Sequence, residues 1–523
     1  MSSPLEQVIV IRHRAPLIGG AVTETADVLV VGFGAAGACA AIEAADAGAR
    51  VLVLDRFGGG GATAISGGVV YAGGGTRQQR AAGVRDTPGE MADYLREEVG
   101  DTVAAGTLRR FCEQSAGMLD WLAGLGVPFD ARLCPYKTSY PTNRHYLYLS
   151  GSETAFGQSA ARGHRVLARG TSGRLLHRRL AAAVRDRGVV VRTQTRAERL
   201  VTDADGRVTG VECRTLTGWA RLGHRVLHRW SVKPGLYLPG LGRALHRPVA
   251  WLERRHGRPL RISAGSVILC AGGFVFDREM MREHAPDYRG GLRLGTRGDD
   301  GSGIRLGVAA GGATAHLDRV SVWRFLSPPS AMLDGLLVDR DGRRVGDPAR
   351  YGAAVGEAIL RSPGGQAWLL LDAATLARCR RQVWSQTLWF QRWQALWLLT
   401  FGHVTGRTLA AVARRAGVDP AGLIATAGPA TGPPPYVLID VSVRNRTAFP
   451  APMLTLGGLR VDEETGQVLG VPGLYAAGRT AVGICSRSYV SGLSLADCVF
   501  AGRRAGRSAA AVPDRGGRHA DRR

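Results

Sequence analysis

The chain has 523 residues, which exceeds the roughly 250 to 300 residues at which a single hydrophobic core stops growing, so more than one domain is expected. Its net charge of +25 is almost entirely due to arginine, yet no zinc finger, aromatic RNA-binding motif or basic heptad helix accompanies that charge, which argues against nucleic acid as a partner. The eight cysteines lack metal-ligand spacing, so we expect a cytoplasmic protein without a metal site. No run of about eighteen uncharged apolar residues occurs, so we expect neither a cleaved leader nor a membrane-spanning helix.

The first predicted elements are a strand, a glycine-rich turn, a helix and a second strand. The turn reads Gly-Phe-Gly-Ala-Ala-Gly at residues 32–37, and the second strand ends in Asp55. Gly32 is suited to the tight turn, Gly34 to the close approach of a pyrophosphate, and Gly37 to close packing of helix on strand. Asp55 is placed to accept hydrogen bonds from an adenosine ribose. The pattern predicts a dinucleotide-binding βαβ unit with the pyrophosphate at the helix N-terminus.

The later elements divide one domain into two pieces. A glycine-dense loop that would place backbone amides around a ligand precedes helices, a strand hairpin, two strands that run into glycines, and a last helix. In that order they lie at 58–75, 89–125, 189–211, 266–270, 473–477 and 494–509. Pieces of one nucleotide-binding domain therefore lie at both ends of the chain, and the middle must be an inserted domain. The predicted division is 22–283 and 447–507 for the nucleotide-binding domain, 284–446 for the inserted domain and 508–523 for a disordered tail.

Two tryptophan-rich segments interrupt this plan. Residues 214–261 carry three tryptophans among many arginines with a single acid, between two elements that would otherwise be neighbours. In residues 383–401, Trp389, Trp393 and Trp397 are four apart and would share one face of a helix. Core or interdomain packing is one interpretation of both segments. The other is a surface that lies on a membrane, or a route for a lipophilic substrate.

Seven short motifs along the chain are the basis of a resemblance to one protein family. They are residues 27–55, Ser-Gly-Gly at 66–68, Arg-Gly-His at 162–164, Ala-Gly-Gly-Phe at 271–274, and the glycine-rich runs at 298–303, 457–459 and 473–478. With them the chain resembles the FAD-dependent fumarate reductase and succinate dehydrogenase flavoprotein superfamily, and within it the 3-ketosteroid Δ1-dehydrogenase-like branch. The resemblance covers about 25 to 507 except 214–261. It implies an α/β fold with a Rossmann-like, glutathione reductase-like FAD-binding domain and an inserted α+β cap domain for the substrate.

In that family these motifs surround FAD, so the resemblance implies the same cofactor here. No histidine lies near the Ser66 loop, where members with covalent flavin attach it, and we therefore expect non-covalent FAD. The residues expected to contact the cofactor are Gly32, Gly34, Ala36, Gly37, Asp55, Arg56, Gly61, Ala62, Thr63, Ser66, Gly67, Gly68, Ala271, Gly272, Gly273, Gly478, Arg479, Ser494 and Leu495.

The positions that face the substrate in the family separate its branches. Members that reduce fumarate-like dicarboxylates resemble each other in presenting histidines and arginines to the substrate. The matching positions here are Trp323, Leu454 and Tyr489, and the proton-donating arginine has no counterpart in the region of Tyr351. Two carboxylates without cationic partners would be costly to bury. Fumarate and succinate are therefore not expected as substrates.

A pair of tyrosines replaces those cations. Residues 342–351 resemble the ketosteroid dehydrogenase segment that ends in the catalytic tyrosine, although its usual Phe, Asn and Glu are Val, Gly and Asp here. The resemblance implies that Tyr351 is the base, with a pKa that its neighbours would have to lower. It also implies that Tyr489 and the backbone amide of Gly492 or Leu493 hold the enolate oxygen. A third site tyrosine is left open among Tyr136, Tyr140 and Tyr146.

The implied function is an FAD-dependent oxidoreductase that introduces a C=C bond next to a ketone in a lipophilic, steroid-like substrate. Electrons would pass to an external acceptor, either quinone-like or a redox protein. Two alternatives stay open. One is an enone reductase that runs the same chemistry backwards with the tyrosine as proton donor, and the other is a non-catalytic flavoprotein that relays electrons at a membrane.

The first prediction concerns the cofactor. The purified protein should be yellow and should release FAD, not FMN, into the supernatant on acid denaturation, because a mononucleotide would leave Asp55 without its ribose. Chromatography of the supernatant and absorbance of the washed pellet measure both properties. Flavin that stays in the pellet would contradict non-covalent binding.

Overall fold

The computed structural model describes residues 22–158, 160–288, 291–429, 431–443 and 451–511. Its strands are β1 (Val22–Val31), β2 (Val51–Asp55), β3 (Val69–Tyr71), β4 (Leu147–Tyr148), β5 (Gly163–Arg165), β6 (Val190–Thr193), β7 (Thr195–Thr202), β8 (Val208–Thr215), β9 (Arg258–Leu269), β10 (Leu292–Arg293), β11 (Thr314–Ala315), β12 (Val320–Val322), β13 (Leu336–Val338), β14 (Trp368–Leu371), β15 (His403–Gly406), β16 (Tyr436–Asp440), β17 (Pro452–Thr455), β18 (Gly458–Leu459) and β19 (Leu474–Ala476). In the same ranges, no helix is both long and apolar enough to cross a bilayer.

The helices account for most of the remaining described structure. They are α1 (Ala35–Asp46), α2 (Gly61–Ile65), α3 (Arg77–Ala81), α4 (Pro88–Val99), α5 (Ala105–Gly124), α6 (Gly173–Asp186), α7 (Gly218–Tyr237), α8 (Pro239–His256), α9 (Arg278–His284), α10 (Ser302–Ala309), α11 (Gly352–Arg361), α12 (Ala373–Gln386), α13 (Trp389–Thr400), α14 (Leu409–Ala416), α15 (Pro420–Ala427) and α16 (Leu493–Ala510).

The largest sheet has the strand order β6-β2-β1-β9-β8-β7, and β19 also pairs with β9. Strands β6, β2, β1, β9 and β19 are parallel, whereas the hairpin β7–β8 joins β9 in antiparallel fashion. Because β1, β9 and β19 are parallel, their carboxyl ends meet at one edge of the sheet, which is where ligands bind in open α/β sheets. The predicted α/β fold with a Rossmann-like FAD-binding domain is confirmed.

Small residues hold the last helix against the first one. A Cβ added to Gly502 of α16 would lie 2.4 Å from the carbonyl oxygen of Ala36, and one added to Gly506 would lie 2.3 Å from that of Ala40. The alanines of α1 and the glycines of α16 therefore allow contact between the two helix backbones. This contact explains how the C-terminal piece of the chain returns to the N-terminal βαβ unit.

The middle of the chain forms further layers around smaller sheets. Strands β13, β14, β16 and β15 make a four-stranded antiparallel sheet, and β10, β17 and β12 make a three-stranded one. The apolar core of the four-stranded sheet includes Leu369, Val437 and Ile439, all fully buried. The division at 446/447 falls outside the described residues and stays a prediction.

Two predicted elements differ in detail from the structure, and a third is confirmed. The single helical region at 89–125 is two helices, α4 and α5, separated at Gly100, whose φ of 62° favours glycine. Helix α16 continues to Ala510, three residues into the segment for which a disordered tail is predicted, and residues 512–523 lie outside the described structure. The hairpin predicted around residues 203–206 is confirmed as β7–β8.

Within the predicted insertion 214–261, helices α7 and α8 form a hairpin, whereas its first and last residues belong to the hydrogen-bonded strands β8 and β9. The hairpin closes on the two residues that follow Asp55. Arg56 donates to both carboxylate oxygens of Glu253 at 2.8 Å, and the ring of Phe57 stacks on that of His228 with centroids 3.8 Å apart. The insertion is therefore packed on the nucleotide-binding edge of the sheet.

The Arg-Gly-His motif is held by a buried ion pair. Arg162 and Asp86 are both fully buried, with nitrogen-to-oxygen distances of 2.7 and 3.0 Å. Asp86 also accepts hydrogen bonds from the amide of Gly74 and the side chain of Gln79, at 3.0 and 2.9 Å. The pair links the motif to the glycine-dense loop before it.

Replacement of Asp86 by alanine should lower the free energy of unfolding by about 3–5 kcal/mol, because it leaves a buried guanidinium without its partner. The matched control is Asp93→Ala, which removes an exposed ion pair to Arg96 and should cost about 0–1 kcal/mol. Thermal unfolding followed by circular dichroism compares the two. Equal midpoints for both variants would show that the buried pair contributes no more than the exposed one.

Candidate active site

One cavity of about 1420 Å³ runs from the glycine turn after β1 to a group of aromatic side chains between the two parts of the molecule. Pockets for one small molecule usually have about 300–1,000 Å³. The cavity is therefore large enough for a dinucleotide together with a second ligand. Its two ends differ in chemistry, because backbone and polar groups dominate the first and aromatic rings the second.

The glycine turn has the geometry expected for a pyrophosphate site. Gly32 has a φ of 107°, and a Cβ there would lie 2.3 Å from the carbonyl oxygen of Cys270. A Cβ on Gly37 would lie 1.9 Å from the carbonyl oxygen of Gly32. At Gly34 an added Cβ would meet only Thr63 Oγ1, at 3.5 Å, so the backbone faces open space. The N-terminus of α1 is thus accessible to an anion.

Asp55 lies at the end of β2 and lines the cavity. Its carboxylate accepts hydrogen bonds from the backbone amides of Phe33, Phe57 and Gly59 at 3.0, 2.8 and 3.0 Å. A carboxylate has about four acceptor positions, so capacity for a ribose hydroxyl remains. These bonds also fix the turn and the following loop around the carboxylate, a role that sequence reasoning did not assign.

The loop after α2 supplies the wall beside the aromatic end. Ser66 donates to the carbonyl oxygen of Thr63 at 2.8 Å and accepts from the amide of Gly68 at 3.2 Å. Gly68 has a φ of 67°, and a Cβ there would collide with Ser172. Tyr140 packs over Gly67 and donates to its carbonyl oxygen at 2.7 Å. The loop is therefore fixed by its own hydrogen bonds and by its contacts with Ser172 and Tyr140.

The cavity brings together nearly all of the predicted cofactor contacts. Gly37 and Gly273 do not line it; Gly37 packs on Gly32, and Gly273 packs against Thr455. Arg479 pairs with Asp299 at 2.5 Å, and its Nη1 is buried without a hydrogen-bond partner in the described structure. An unpartnered cationic nitrogen beside an open glycine cradle suits the polar groups of FAD. The residues present therefore fit that cofactor.

Tyr351 and Tyr489 meet at the aromatic end, although 137 positions of sequence separate them. Their ring centroids are 6.0 Å apart, and Trp323 stacks on Tyr489 with centroids 5.0 Å apart. Phe325 packs edge-on against Tyr351, and Leu454 also lines this end. The positions at which a fumarate reducer would have histidines thus hold Trp323 and Leu454. The site is suited to a flat apolar ligand and not to a dicarboxylate.

Local structure places each tyrosine. Tyr351 is the N-cap residue of α11, and its amide donates to Ser152 Oγ at 3.0 Å. Tyr489 precedes α16, whose N-cap is Gly492 with a φ of 91°. A Cβ on Gly492 would lie 2.7 Å from the amide nitrogen of Tyr71, so only glycine fits there. Each tyrosine is therefore held next to the start of a helix.

The two backbone amides predicted as second oxyanion donors, those of Gly492 and Leu493, differ in their surroundings. Burial raises the pKa of Tyr489, and the backbone amide of Gly492 opposes that rise because it lies within hydrogen-bonding reach of the hydroxyl. The amide of Leu493 donates to the carbonyl oxygen of Val490 at 3.1 Å and is already used. The Gly492 amide is therefore the candidate nearer to the Tyr489 hydroxyl, and its action as an oxyanion donor stays a prediction.

Sequence reasoning missed Ser491 and Tyr148. The Tyr148 hydroxyl lies 3.0 Å from Ser491 Oγ, and Ser491 is within hydrogen-bonding reach of the Tyr351 hydroxyl. Among the three tyrosines left open, Tyr140 lines the cavity, but its hydroxyl donates hydrogen bonds to backbone carbonyl oxygens. The Tyr146 hydroxyl donates to the carbonyl oxygen of Ala168, and the ring of Tyr136 packs on His145. Alternation along β4 would have placed Tyr146 and Tyr148 on one face, but no spacing rule distinguishes them.

The expectation that neighbours lower the pKa of Tyr351 is not met. Burial raises the pKa of this hydroxyl well above its usual value, the nearby Tyr489 and Tyr148 add to the rise, and Ser491 only opposes it. Tyr351 is therefore a neutral phenol at neutral pH. It can accept a proton only if its own proton leaves along a hydrogen-bonded neighbour, which the contact with Ser491 provides.

Fold and cavity together define a flavoprotein oxidoreductase with a nucleotide end and an apolar substrate end. A family model described as "FAD binding domain" matches residues 27–492. The 3-oxo-5-alpha-steroid 4-dehydrogenase of Comamonas testosteroni is 36% identical over 87% of this chain and 93% of its own length. The chain belongs to this FAD-binding family of oxidoreductases, and its cofactor is FAD.

Two solved structures extend the comparison. The 3-ketosteroid-Δ4-(5α)-dehydrogenase of Rhodococcus jostii RHA1, in complex with 4-androstene-3,17-dione, superposes with a TM-score of 0.76 at 29% identity over 93% of this chain and 97% of that one. The 3-ketosteroid Δ1-dehydrogenase of Sterolibacterium denitrificans gives a TM-score of 0.63 at 18% identity over 93% and 100%. At 18% identity, the similarity to the Δ1-dehydrogenase shows a shared fold alone.

The tyrosine pair generates a prediction. Tyr351→Phe should slow anaerobic flavin reduction by an accepted ketone by about 10²- to 10⁴-fold while FAD stays bound, because only a proton-transferring hydroxyl is lost. Tyr489→Phe should cost about 10²- to 10³-fold as one oxyanion donor, and the two effects should be non-additive. Stopped-flow flavin absorbance measures the two single variants and the double variant that combines them. The control is Tyr288→Phe, a partly buried tyrosine outside the cavity, and wild-type rates in Tyr351→Phe would remove this residue from the mechanism.

Proposed function

We propose that the protein desaturates a 3-ketosteroid or a similar polycyclic ketone, introducing a C=C bond next to the carbonyl. The observation that carries this proposal is the pairing of Tyr351 with the Tyr489 hydroxyl and the Gly492 amide at the apolar end of the FAD cavity. A base and two hydrogen-bond donors in one apolar cavity match the needs of removing a proton from a carbon activated by a ketone.

Each residue of the site has a separate role in the proposed reaction. Tyr489 and Gly492 hold the ketone oxygen and stabilise the enolate character that develops there. Tyr351 takes the proton from the neighbouring carbon as its own proton passes to Ser491; Ser491 and then Tyr148 each give up one proton as they receive one, and water takes the last. When bound, FAD supplies the hydride-accepting ring. The rings of Trp323 and Phe325 exclude water from the reacting carbons.

We propose the bond between C4 and C5 of a 5α-reduced steroid as the site of reaction. The relatives that are 36% and 29% identical are described as a 4-dehydrogenase and a Δ4-(5α)-dehydrogenase, whereas the Δ1-dehydrogenase is 18% identical and supports the fold alone. All three act on 3-ketosteroids by their descriptions. The same residues could serve an enone reductase, so the direction follows from the electron acceptor.

We further propose that electrons leave to a quinone-like acceptor or a redox protein, and that the protein works in the cytoplasm at a membrane surface. Eight cysteines that are all free and mostly buried support a reducing compartment. A lipophilic substrate partitions into bilayers, which supports contact with a membrane.

The test is an anaerobic screen for loss of flavin absorbance. A 5α-reduced 3-ketosteroid should bleach the flavin and yield the 4-ene-3-one, whereas succinate should not bleach it and fumarate should not reoxidise the reduced enzyme, because Trp323, Leu454 and Tyr489 provide no cationic clamp. Mass spectrometry of the products distinguishes 4-ene from 1-ene. Bleaching by no ketone, with normal electron uptake from a chemical reductant, would favour the electron-relay alternative, and fumarate turnover would contradict the site assignment.

A further inference from the structure

Helix α13 separates the substrate cavity from the outside of the molecule. Its inner side lines the cavity with Phe390, Gln394, Ala395 and Leu398. Its outer side carries Trp389, Trp393 and Trp397, which follow one another at intervals of four residues and so share one face. The helix is therefore apolar on both sides, and only the inner side is explained by the site.

The outer side is exposed to an extent that interior packing does not explain. Trp389 and Trp393 are 72% and 73% exposed, Trp397 is 45% exposed, and Phe401 at the end of the helix is 77% exposed. Trp384, from the end of α12, is 63% exposed. We name these five side chains the tryptophan face. Core or interdomain packing, one interpretation of Trp389, Trp393 and Trp397, is wrong for these exposed side chains, and large aromatic side chains exposed on one helix face mark an interaction surface.

The charges around the tryptophan face select its partner. Residues 373–418 contain seven arginines and no acidic residue. Arg392 lies over the ring of Trp384, 5.0 Å from its centroid, and Arg380 donates to the carbonyl oxygen of Leu399 at 2.8 Å, which ties α12 to the end of α13. Tryptophan on one face with arginine beside it is the composition of helices that lie in the interface of an anionic bilayer.

A second copy of this chain fits the surface less well. An isologous dimer would bring the same arginine-rich surface of both subunits together, and like charges in contact are unfavourable. The helical insertion has a similar character, since Trp219 and Trp230 are 64% and 69% exposed and α7 also lines the cavity. Both tryptophan-rich segments thus lie on walls of the same cavity.

We propose that the tryptophan face docks on an anionic lipid surface, with α13 lying in the headgroup region and its inner side bounding the substrate cavity. A lipophilic ketone then moves from the bilayer into the cavity along α13 without crossing bulk water. The docking itself follows from the exposed face and the charge, whereas the delivery of substrate rests on the proposed function.

The experiment is flotation of the FAD-loaded protein with vesicles of phosphatidylcholine alone or mixed with phosphatidylglycerol. The wild type should float with the mixed vesicles, and less so as salt is raised. The double variant Trp389→Ser/Trp393→Ser should lose at least about tenfold in affinity, because each large apolar side chain that leaves water contributes about that factor. The control is Val308→Ser, an exposed apolar residue on α10 that is 47% exposed.

Several outcomes decide the proposal. Equal flotation of wild type and double variant, or no flotation of the wild type, would overturn the docking. A wild-type dimer that becomes monomeric in the double variant by light scattering would identify the face as a contact between subunits and would also overturn it. A shift of tryptophan emission to shorter wavelength that only the mixed vesicles produce, lost in the double variant, would support it.

Activity distinguishes the two proposals. With a detergent-dispersed ketosteroid, the double variant should keep the wild-type rate, since neither residue lines the cavity. With the same steroid supplied in mixed vesicles, its rate should fall together with its binding. Vesicle binding without turnover of any ketosteroid would support the docking and refute the proposed function. Turnover of a ketosteroid without vesicle binding would support the proposed function and refute the docking.

Discussion

Direct contact between backbones at the ends of β1 and β9 is the constraint on which the site depends. The carbonyl group of Cys270 lies so close to Gly32 that no side chain would fit there, and the same turn brings Gly37 onto Gly32. This contact sets the start of α1, and α1 in turn receives the glycines of α16. Because Gly492 begins α16, the position of Tyr489 relative to the cofactor follows from packing that starts at the first turn of the chain.

The local pattern of residues was enough to predict the nucleotide end of the site. The turn at residues 32–37 and Asp55 encode their geometry through backbone conformation, which neighbours in sequence determine. The family resemblance added the tyrosine pair, since Tyr351 and Tyr489 lie in segments with recognisable neighbours. Ser491 and Tyr148 had no such signal, because their proximity arises from β4 and the loop before α16 meeting in space.

Two sequence expectations failed for a shared reason, which is that burial cannot be read from composition. The pKa of Tyr351 rises because its hydroxyl is removed from water, and the local sequence says nothing of that. Conversely, the tryptophans of α13 look like core residues by type and spacing and yet face outwards. The spacing of the tryptophans predicted their shared helix face correctly, but not whether that face is buried.

The helical insertion has a thermodynamic consequence for the loading of the cofactor. Glu253 of the hairpin holds Arg56 directly after Asp55, the residue predicted to face the adenosine ribose, and His228 covers Phe57. Opening of the hairpin would therefore release the end of β2, which carries Asp55. By linkage, whatever free energy the closed hairpin adds to nucleotide binding, the bound nucleotide returns to the hairpin as resistance to local unfolding. The closed insertion and the bound cofactor would thus stabilise each other.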